Sequence, residues 1–479
     1  MSTTTAYGSD LSHGRRMGVL AICCLSLFIV GIDVTGVNVA LPSIARDLGA
    51  SGDQLQWVID AYTLVLASLL MLGGSTGDRL GRRRVFQVGL VLFGLGSLLC
   101  SAAQSPDVLI AARTLQAVGG SMLNPVAMSI ITNTFHEPRE RAQAIGMWGA
   151  TVGLSMALGP VLGGGLVDGI GWRAIFWLNI PVVVAALALT ARWVPESRAE
   201  RVRRLDPVAQ VLVVVVLATL TFAIIEGRGL GWGSATVLGC FAAAALAAVV
   251  LVGYELRRTE PLLDPRFFAS IPFSGAVLCA VLGFCAMGGF LFLNTLYLQE
   301  VRGLSPIAAG LMTLPMAGAT AVMSPLSGRI VGAVGPRIPL VLAATGITVS
   351  AVLLLRLEPD TSMVYLGFAY LAFGIGFGML NAPVTNAAVS GMPRAQAGVA
   401  AAIASTSRQV GISLGVALLP TVAFGHLEGT VPTGLADATH AAWWLMLGCG
   451  LALLVLAFVT TSALAHRTRD RAAAALGAA

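Results

Sequence analysis

The sequence predicts an all-α protein threaded many times through a membrane, and three observations carry that reading. Of its 479 residues, 56% are hydrophobic and only 11% are charged, less than half of the roughly 25% that soluble domains carry. Apolar runs of roughly 20 residues recur almost from end to end, each long enough to cross a hydrocarbon core of about 30 Å. All 29 basic residues are arginine, and nearly all sit in short segments between those runs. The net charge of +6 therefore reads as positive-inside sorting rather than affinity for nucleic acid. A composition rich in Ala and Gly and lacking Lys suits a high-GC bacterial genome.

The first run follows Arg15 and Arg16 and reaches Leu41, too long for a signal-peptide core and without a clear cleavage site. It is expected to be a membrane helix. In order, spans are predicted near 17–41, 54–76, 85–103, 107–131, 142–167, 172–194, 207–227, 233–255, 273–299, 305–333, 338–356, 361–384, 397–424 and 441–465, fourteen in all. With the N-terminus inside, the cytoplasmic segments hold 22 arginines and the outer ones five (Arg46, Arg173, Arg228, Arg302 and Arg356), with Arg113 and Arg408 inside the membrane. That asymmetry predicts both termini in the cytoplasm. The seven cysteines all fall in apolar runs, with no CxxC and no Cys/His cluster. Neither a disulfide framework nor a metal centre is expected.

An internal echo suggests duplication. The stretch Gly77 to Arg82 follows span 2, and Gly328 to Gly332 with Gly335 to Arg337 follows span 10. Treating spans 7 and 8 as an insert makes span 10 the second helix of a second half. The expected organisation is residues 1–195 as one six-helix unit, 196–272 as a linker carrying two extra spans, 273–465 as the second unit and 466–479 as a tail. Repeated halves around a central site are a common transporter plan.

Charges inside spans are costly and mark candidate sites. At 1.5 Å per residue, Asp33 lies roughly 12 Å below the outer surface, with Asp60 and Arg113 each roughly 9 Å down, so the three share a layer and are expected to form one network. Behind Arg113, Gln116, Gly120 and Asn124 follow at i+3, i+7 and i+11, one helical face suited to lining an aqueous cavity. Trp57 and Leu64 flank Asp60, an aromatic wall beside a carboxylate that suits a lipophilic cation. Low dielectric favours a neutral carboxylate and a neighbouring arginine a charged one. A conformational change that alters either would make the acid take up or release a proton. The competing reading is a static ion pair holding spans 1, 2 and 4 together. Glu226, at a span end, is expected to face interfacial water. Arg408, near mid-membrane in span 13, reads as a structural or gating residue.

Glycine and proline punctuate span 5 at Gly149, Gly153, Gly159, Pro160, Gly163 and Gly164. They fit either ordinary close packing or a bend that seals one state of a cavity. Gly310, Pro315, Pro325 and Gly328 in span 10, and Gly374, Gly376, Gly378 and Pro383 in span 12, show the same character. The segment Gly74 to Arg84 reads as a short basic loop in which Asp78 could cap a neighbouring helix N-terminus as a cytoplasmic latch. It is not a phosphate-binding loop, so ATP drive has no support.

Taken together, these motifs resemble the major facilitator superfamily, and within it the 14-helix drug:proton antiporter branch of the QacA and EmrB type. Asp33 to Pro42 is similar to that branch's helix-1 signature, and Gly74 to Arg84 to the superfamily's loop between helices 2 and 3. Leu109, Arg113, Gln116 and Gly120 fit the helix-4 motif, with Ala117 where glycine is usual. Gly153, Gly159, Pro160, Gly163 and Gly164 are similar to the helix-5 antiporter motif, and Trp172 to Pro181 resembles the entry to helix 6. The resemblance implies a monomeric exporter in a bacterial cytoplasmic membrane, with two six-helix bundles, two inserted helices and alternating access. It implies proton coupling at Asp33 and Arg113 and a cytoplasmic gate at Asp78 with Arg79; the buried charges add Asp60 as a further coupling candidate, and Gly74, Gly81 and Arg82 complete the candidate gate segment. Trp57, Gln116, Asn124, Asn294, Tyr297, Phe373, Phe377 and Asn381 are the candidate cavity residues. The expected function is proton-driven efflux of amphipathic antibiotics, drugs or dyes, with protons as coupling ion and no other cofactor. The alternatives are a dedicated exporter of one metabolite or self-made antibiotic, and a transporter-like sensor without turnover. An enzyme is the least supported class, since no nucleophile, metal or cofactor constellation is present.

Overall fold

The computed structural model describes residues 12–198, 206–258, 264–389 and 397–477. Among them the chain forms helices and no strand: α1 (His13–Leu48), α2 (Gly52–Leu80), α3 (Arg82–Ser101), α4 (Pro106–Thr134), α5 (Pro138–Gly169), α6 (Arg173–Trp193), α7 (Pro207–Leu230), α8 (Ala235–Glu255), α9 (Ile271–Leu296), α10 (Pro306–Met312), α11 (Leu314–Val334), α12 (Arg337–Leu354), α13 (Met363–Val389), α14 (Ala397–Gly425), α15 (Val431–Thr460) and α16 (Ala463–Gly477). A 3-10 turn at Pro265–Ala269 leads into α9, and a π-helical segment, Tyr297–Val301, continues it. Local chemistry sets the boundaries. Ser51 and Gln54 form a reciprocal capping box that starts α2, and Gly49, at φ +65°, ends α1.

Among the described residues, twelve stretches are long and apolar enough to cross a membrane: α1, α2, α3, α6, α7, α8, α9 with its π segment, α10 with α11, α12, α13, α14 and α15. The sequence predicted fourteen. The difference falls on α4 and α5: α4, of 29 residues, carries Arg113, Gln116 and Asn124 and falls short by composition, whereas part of α5, of 32 residues, lies outside the described residues. Several boundaries also move, among them the end of α1, which runs to Leu48 rather than near 41. The last span begins at Val431 rather than near 441, and the expected tail is largely helical as α16, in keeping with its run of alanines. Thr468 Oγ1 accepts the amide of Ile271 at 3.1 Å, which fastens α16 to the start of α9.

Two sets of helices pack in matching pairs. Within the first, α1 meets α4, α5 and α6, α2 meets α4, and α3 meets α4 and α6. Within the second, α9 meets α13, α14 and α15, α11 meets α13, and α12 meets α13 and α15. The register matches too: Arg113 and Tyr370 are each the eighth residue of their helix, and Asn124 and Asn381 each the nineteenth. Helices in lipid gain little from hiding apolar surface from one another, so they hold through close packing and buried hydrogen bonds. Gly119 accordingly lies against the backbone of Gly89 on α3, and Gly376 against the backbone of Ile347 on α12. Large apolar side chains stay exposed around the perimeter, among them Leu98 (52%), Val249 (71%) and Val455 (62%), as a lipid-facing surface requires.

The two sets meet most firmly at the end of the bundle opposite the chain's N-terminus. There Gln299 Nε2 donates to Val39 O (2.7 Å), the amide of Ile307 to Asp168 Oδ2 (3.0 Å) and Gln56 Nε2 to Thr421 Oγ1 (3.4 Å). Gly164 of α5 lies against the backbone of Pro306 and Ile307, and Gly310 of α10 against the backbone of Pro160. The α7–α8 hairpin leans on both sets through α2 and α14.

Candidate functional site

Asp33 and Arg113 are buried, at 0% and 1% exposure, and form an ion pair inside the first set of helices. α1 delivers the carboxylate and α4 the guanidinium, and neighbouring helices complete the shell. Gln116 Nε2 donates to Asp33 Oδ1 (2.8 Å) and to Ser97 Oγ of α3 (2.8 Å), while Asn179 Nδ2 of α6 donates to the same two oxygens at 3.1 and 3.0 Å. Arg113 Nη1 also donates to Gln116 Oε1 (2.6 Å) and its Nε to Val58 O (3.2 Å). The guanidinium carbon sits 4.1 Å from the centre of the Tyr62 ring, a cation–π contact that lets an aromatic wall share the charge. Five helices thus hold one charge pair. A carboxylate so placed can exchange a proton only if water reaches it when helices move, because the low dielectric penalises either charge left alone.

Asp60 does not join this network. Its carboxylate accepts from Thr63 Oγ1 (3.2 Å), and Oδ2 makes no further hydrogen bond, with Ser413 of α14 beside it. The expected three-charge network is corrected to a pair, for a geometric reason. At 100° per residue, Val58 and Tyr62 face α4, whereas Asp60 points roughly 200° away from each. Its own face of α2 runs through Gln56, Leu64 and Ala67, and meets α14 and α7.

Trp57, expected in a central cavity, points elsewhere. Its indole donates to Glu226 Oε1 of α7 at 2.8 Å, with Phe222 6.3 Å away. Glu226, expected in interfacial water, is half-buried and holds the hairpin to α2. At the other end of α7, Gln210 Nε2 donates to Ser68 O. Trp57→Phe is expected to lower stability by about 0.5–1.5 kcal/mol, the worth of one hydrogen bond, and Glu226→Gln, which keeps an acceptor, by less. Thermal unfolding of the purified variants measures both.

In the second set, aromatic groups stand where the first set holds polar ones. At the positions of Arg113, Gln116 and Gly120 in α4, α13 carries Tyr370, Phe373 and Phe377. Tyr370 donates to Asn294 Oδ1 (2.8 Å), so α9 and α13 are joined by a neutral bond where α1 and α4 share an ion pair. Phe373 stacks on Phe290 at 4.2 Å, and Phe377 meets Phe284 edge-on at 5.0 Å. Tyr297 lies at the bundle end, donating to Glu358 O (2.7 Å), away from the cavity position expected of it. Asn124 is half-buried with its Oδ1 unpaired. Asn381 Oδ1 accepts from Arg408 Nη1 at 2.9 Å.

The expected gate loop is almost entirely helical. α2 runs to Leu80 and α3 starts at Arg82, leaving only Gly81 (φ +111°) to turn the chain. Asp78 accepts from Arg82 Nε (3.1 Å) and Nη2 (2.8 Å), Arg79 is exposed, and Gly74 lies against Pro125 of α4. The acid that caps α3 is not Asp78 but Glu196, which accepts the amide of Arg83 at 3.1 Å from beyond the end of α6. In α5, Gly159 lies against Thr35, Gly163 against Gly36 of α1, and the carbonyl of Pro160 against Gly310. The surroundings of Gly153 lie outside the described residues. Sequence reasoning missed Ser97, Asn179 and Tyr62 as partners of the charge pair. Their only signal was an uncharged polar side chain within an apolar run.

Comparison with known proteins places the chain in context. A profile of the Major Facilitator Superfamily matches residues 23–416. Among curated relatives, the chain is 36% identical to the multidrug resistance protein Stp of Mycobacterium tuberculosis over 86% of its own length and 77% of that protein's. It is 37% identical to the puromycin resistance protein pur8 of Streptomyces alboniger (93% and 90%). It is 35% identical to the tetracenomycin C resistance and export protein of Streptomyces glaucescens (89% and 79%). Among solved structures, the fold is similar to a bacterial homologue of the human lysosomal transporter Spinster in an inward-facing, unoccupied conformation, with a TM-score of 0.65 at 19% identity over 96% of this chain and 99% of that one. It is also similar to a bacterial homologue of the human peptide transporters PepT1 and PepT2, with a TM-score of 0.67 at 15% identity over 95% and 99%.

Proposed function

The chain belongs to the Major Facilitator Superfamily, and from that premise we propose that it is a proton-driven antiporter that exports amphipathic antibiotics, drugs or dyes. It is a transporter rather than an enzyme, and a multi-pass protein of a bacterial plasma membrane. The observation that carries the proposal is the Asp33–Arg113 pair, buried among five helices of one half, in a chain whose relatives are named for drug resistance and export. A buried pair of this kind is expensive unless it serves a cycle of charge and neutrality.

In this reading the protein is of the 14-helix branch, with α4 and α5 spanning alongside the twelve more apolar stretches and with both termini cytoplasmic by its arginine distribution. Residues 1–195 and 273–465 rock against each other, carrying the α7–α8 hairpin between them. The hydrogen bonds joining the sets at the end opposite the N-terminus support a state sealed toward the outside. Asp33 exchanges protons as the halves move, Arg113 tunes it, and Asp60 is a second carboxylate at the α2–α14 seam. Asp78 with Arg79 and Arg82 gates the cytoplasmic side. The protein works as a monomer, without ATP or a cofactor. A dedicated exporter of one antibiotic is the second reading, favoured by relatives named for puromycin and for tetracenomycin C.

The test is transport in proteoliposomes under an imposed pH gradient, with ethidium as probe. Wild type is expected to accumulate the dye against its gradient. Asp33→Asn is expected to fall to the leak of empty liposomes and Asp60→Asn to lose part of the flux. Unchanged pH-driven flux in both variants would remove the coupling scheme, and no dye flux with wild type would favour a sensor.

A further inference from the structure

Arg408 is the second arginine within the spans, and its surroundings differ in kind from those of Arg113. It is half-buried on α14, and among the described residues its guanidinium donates only to neutral acceptors: Nη1 to Asn381 Oδ1 (2.9 Å) and Thr385 Oγ1 (3.2 Å), Nη2 to Ser405 Oγ (2.7 Å). Among the described residues no carboxylate lies within ion-pair distance of it, whereas Arg113 is matched by Asp33. Neutral hydrogen bonds orient a guanidinium but leave its charge uncancelled, and an uncancelled charge inside a membrane is kept only where it meets water or an anion. Thr385 and Asn386 beside it are exposed, so polar groups of α13 here border open space rather than packed core. Along α13, Phe377, Asn381 and Thr385 succeed one another at i, i+4 and i+8, one helical face that passes from aromatic to polar.

Resting on the exporter reading, we propose that Arg408, with Asn381 and Thr385, forms a subsite for an anionic group of the exported molecule. The substrates it favours are then amphipathic molecules that carry one carboxylate or enolate on an apolar frame. An arginine with spare N–H donors matches such a group through paired hydrogen bonds. Phe377, one turn away on the same face, is itself packed against Phe284 and only 5% exposed, so the anionic group is what this subsite reads. The Asp33–Arg113 pair is internally neutral and leaves Arg408 as the charge that selects.

The experiment uses two dyes that differ only at this group: rhodamine 110, with a free carboxylate, and rhodamine 123, its methyl ester. Equilibrium binding to the purified full-length protein is read by fluorescence anisotropy. Arg408→Gln is expected to weaken rhodamine 110 about tenfold or more, the worth of a hydrogen bond to a charged group, and to leave rhodamine 123 within about twofold. Thr385→Asp, which gives Arg408 an ion-pair partner of its own, is expected to act in the same direction and serves where Arg408→Gln does not fold. Equal weakening of both dyes, or of neither, in the folded variant overturns the subsite. A wild type that binds rhodamine 123 but not rhodamine 110 overturns the subsite alone, while a wild type that binds neither overturns the exporter reading with it.

Discussion

Asp33→Asn is expected to destabilise the protein by about 3–5 kcal/mol, because it leaves the Arg113 guanidinium buried without its counter-charge. Arg113→Met is expected to cost less. A carboxylic acid left alone can shed its charge by taking a proton, whereas a guanidinium stays charged. In the double variant Asp33→Asn/Arg113→Met both charges are gone, and the introduced amide would still offer an oxygen to Gln116 and Asn179, which now donate to Asp33. Most of the lost stability is therefore expected to return in the double variant, a positive coupling that a double-mutant cycle isolates. Thermal unfolding of the four proteins in one detergent provides the numbers. A double variant no more stable than Asp33→Asn would mean that the pair is not the unit that the geometry describes. Stability and transport should then part company: the double variant folds and does not couple, since it has no titrating group at this position.

The same residues show what a sequence can and cannot reveal. Depth along a helix is counted directly, so Asp33 and Arg113 fall in one layer before any coordinates are seen, and the structure brings them together. Azimuth is harder. Asp60 shares that layer but stands two residues from both Val58 and Tyr62, and only the identity of the neighbouring helix decides that it faces α14. Trp57 misleads for the same reason, since an aromatic residue beside an acid reads alike whether it faces a cavity or an inserted hairpin. Ser97 and Asn179 carry no charge, so nothing in an apolar run separates them from packing residues until they are found on Asp33. The duplication was legible only as a faint echo of a glycine-rich segment, because the halves keep their packing glycines while exchanging a charged core for an aromatic one. Helix α4 escapes a purely apolar criterion because it carries the polar stripe.

Gly310→Val is expected to drive the two halves apart at the end opposite the N-terminus. A Cβ at Gly310 would meet the carbonyl group of Pro160, with its carbon at 2.8 Å, and the amide nitrogen of Val161 at 3.2 Å; one at Gly164 would meet Ile307 Cα at 2.8 Å. All these neighbours are backbone, so no side chain can swing aside, and overpacking of this kind costs about 1–3 kcal/mol. The contact joins one set of helices to the other, so the cost falls on the sealed arrangement and is absent once the halves separate. A differential cost of that size shifts a two-state population by about 5- to 150-fold. The readout is the distance between spin labels at Ile170→Cys and Asp360→Cys, two exposed positions at that end, in a background free of other cysteines. Gly310→Val and Gly164→Val should both move the distribution to longer distances. Gly169→Val is the control, because a Cβ there meets nothing within 4 Å, and it should leave the distribution in place. If the control and the two wedge variants give the same distances, the α5–α10 contact does not seal the transporter. If the wedge variants lengthen the distance and also lose pH-driven flux, closure at this glycine pair is an obligatory step of the cycle, and the helix-5 glycines are kept for the approach they permit rather than for flexibility.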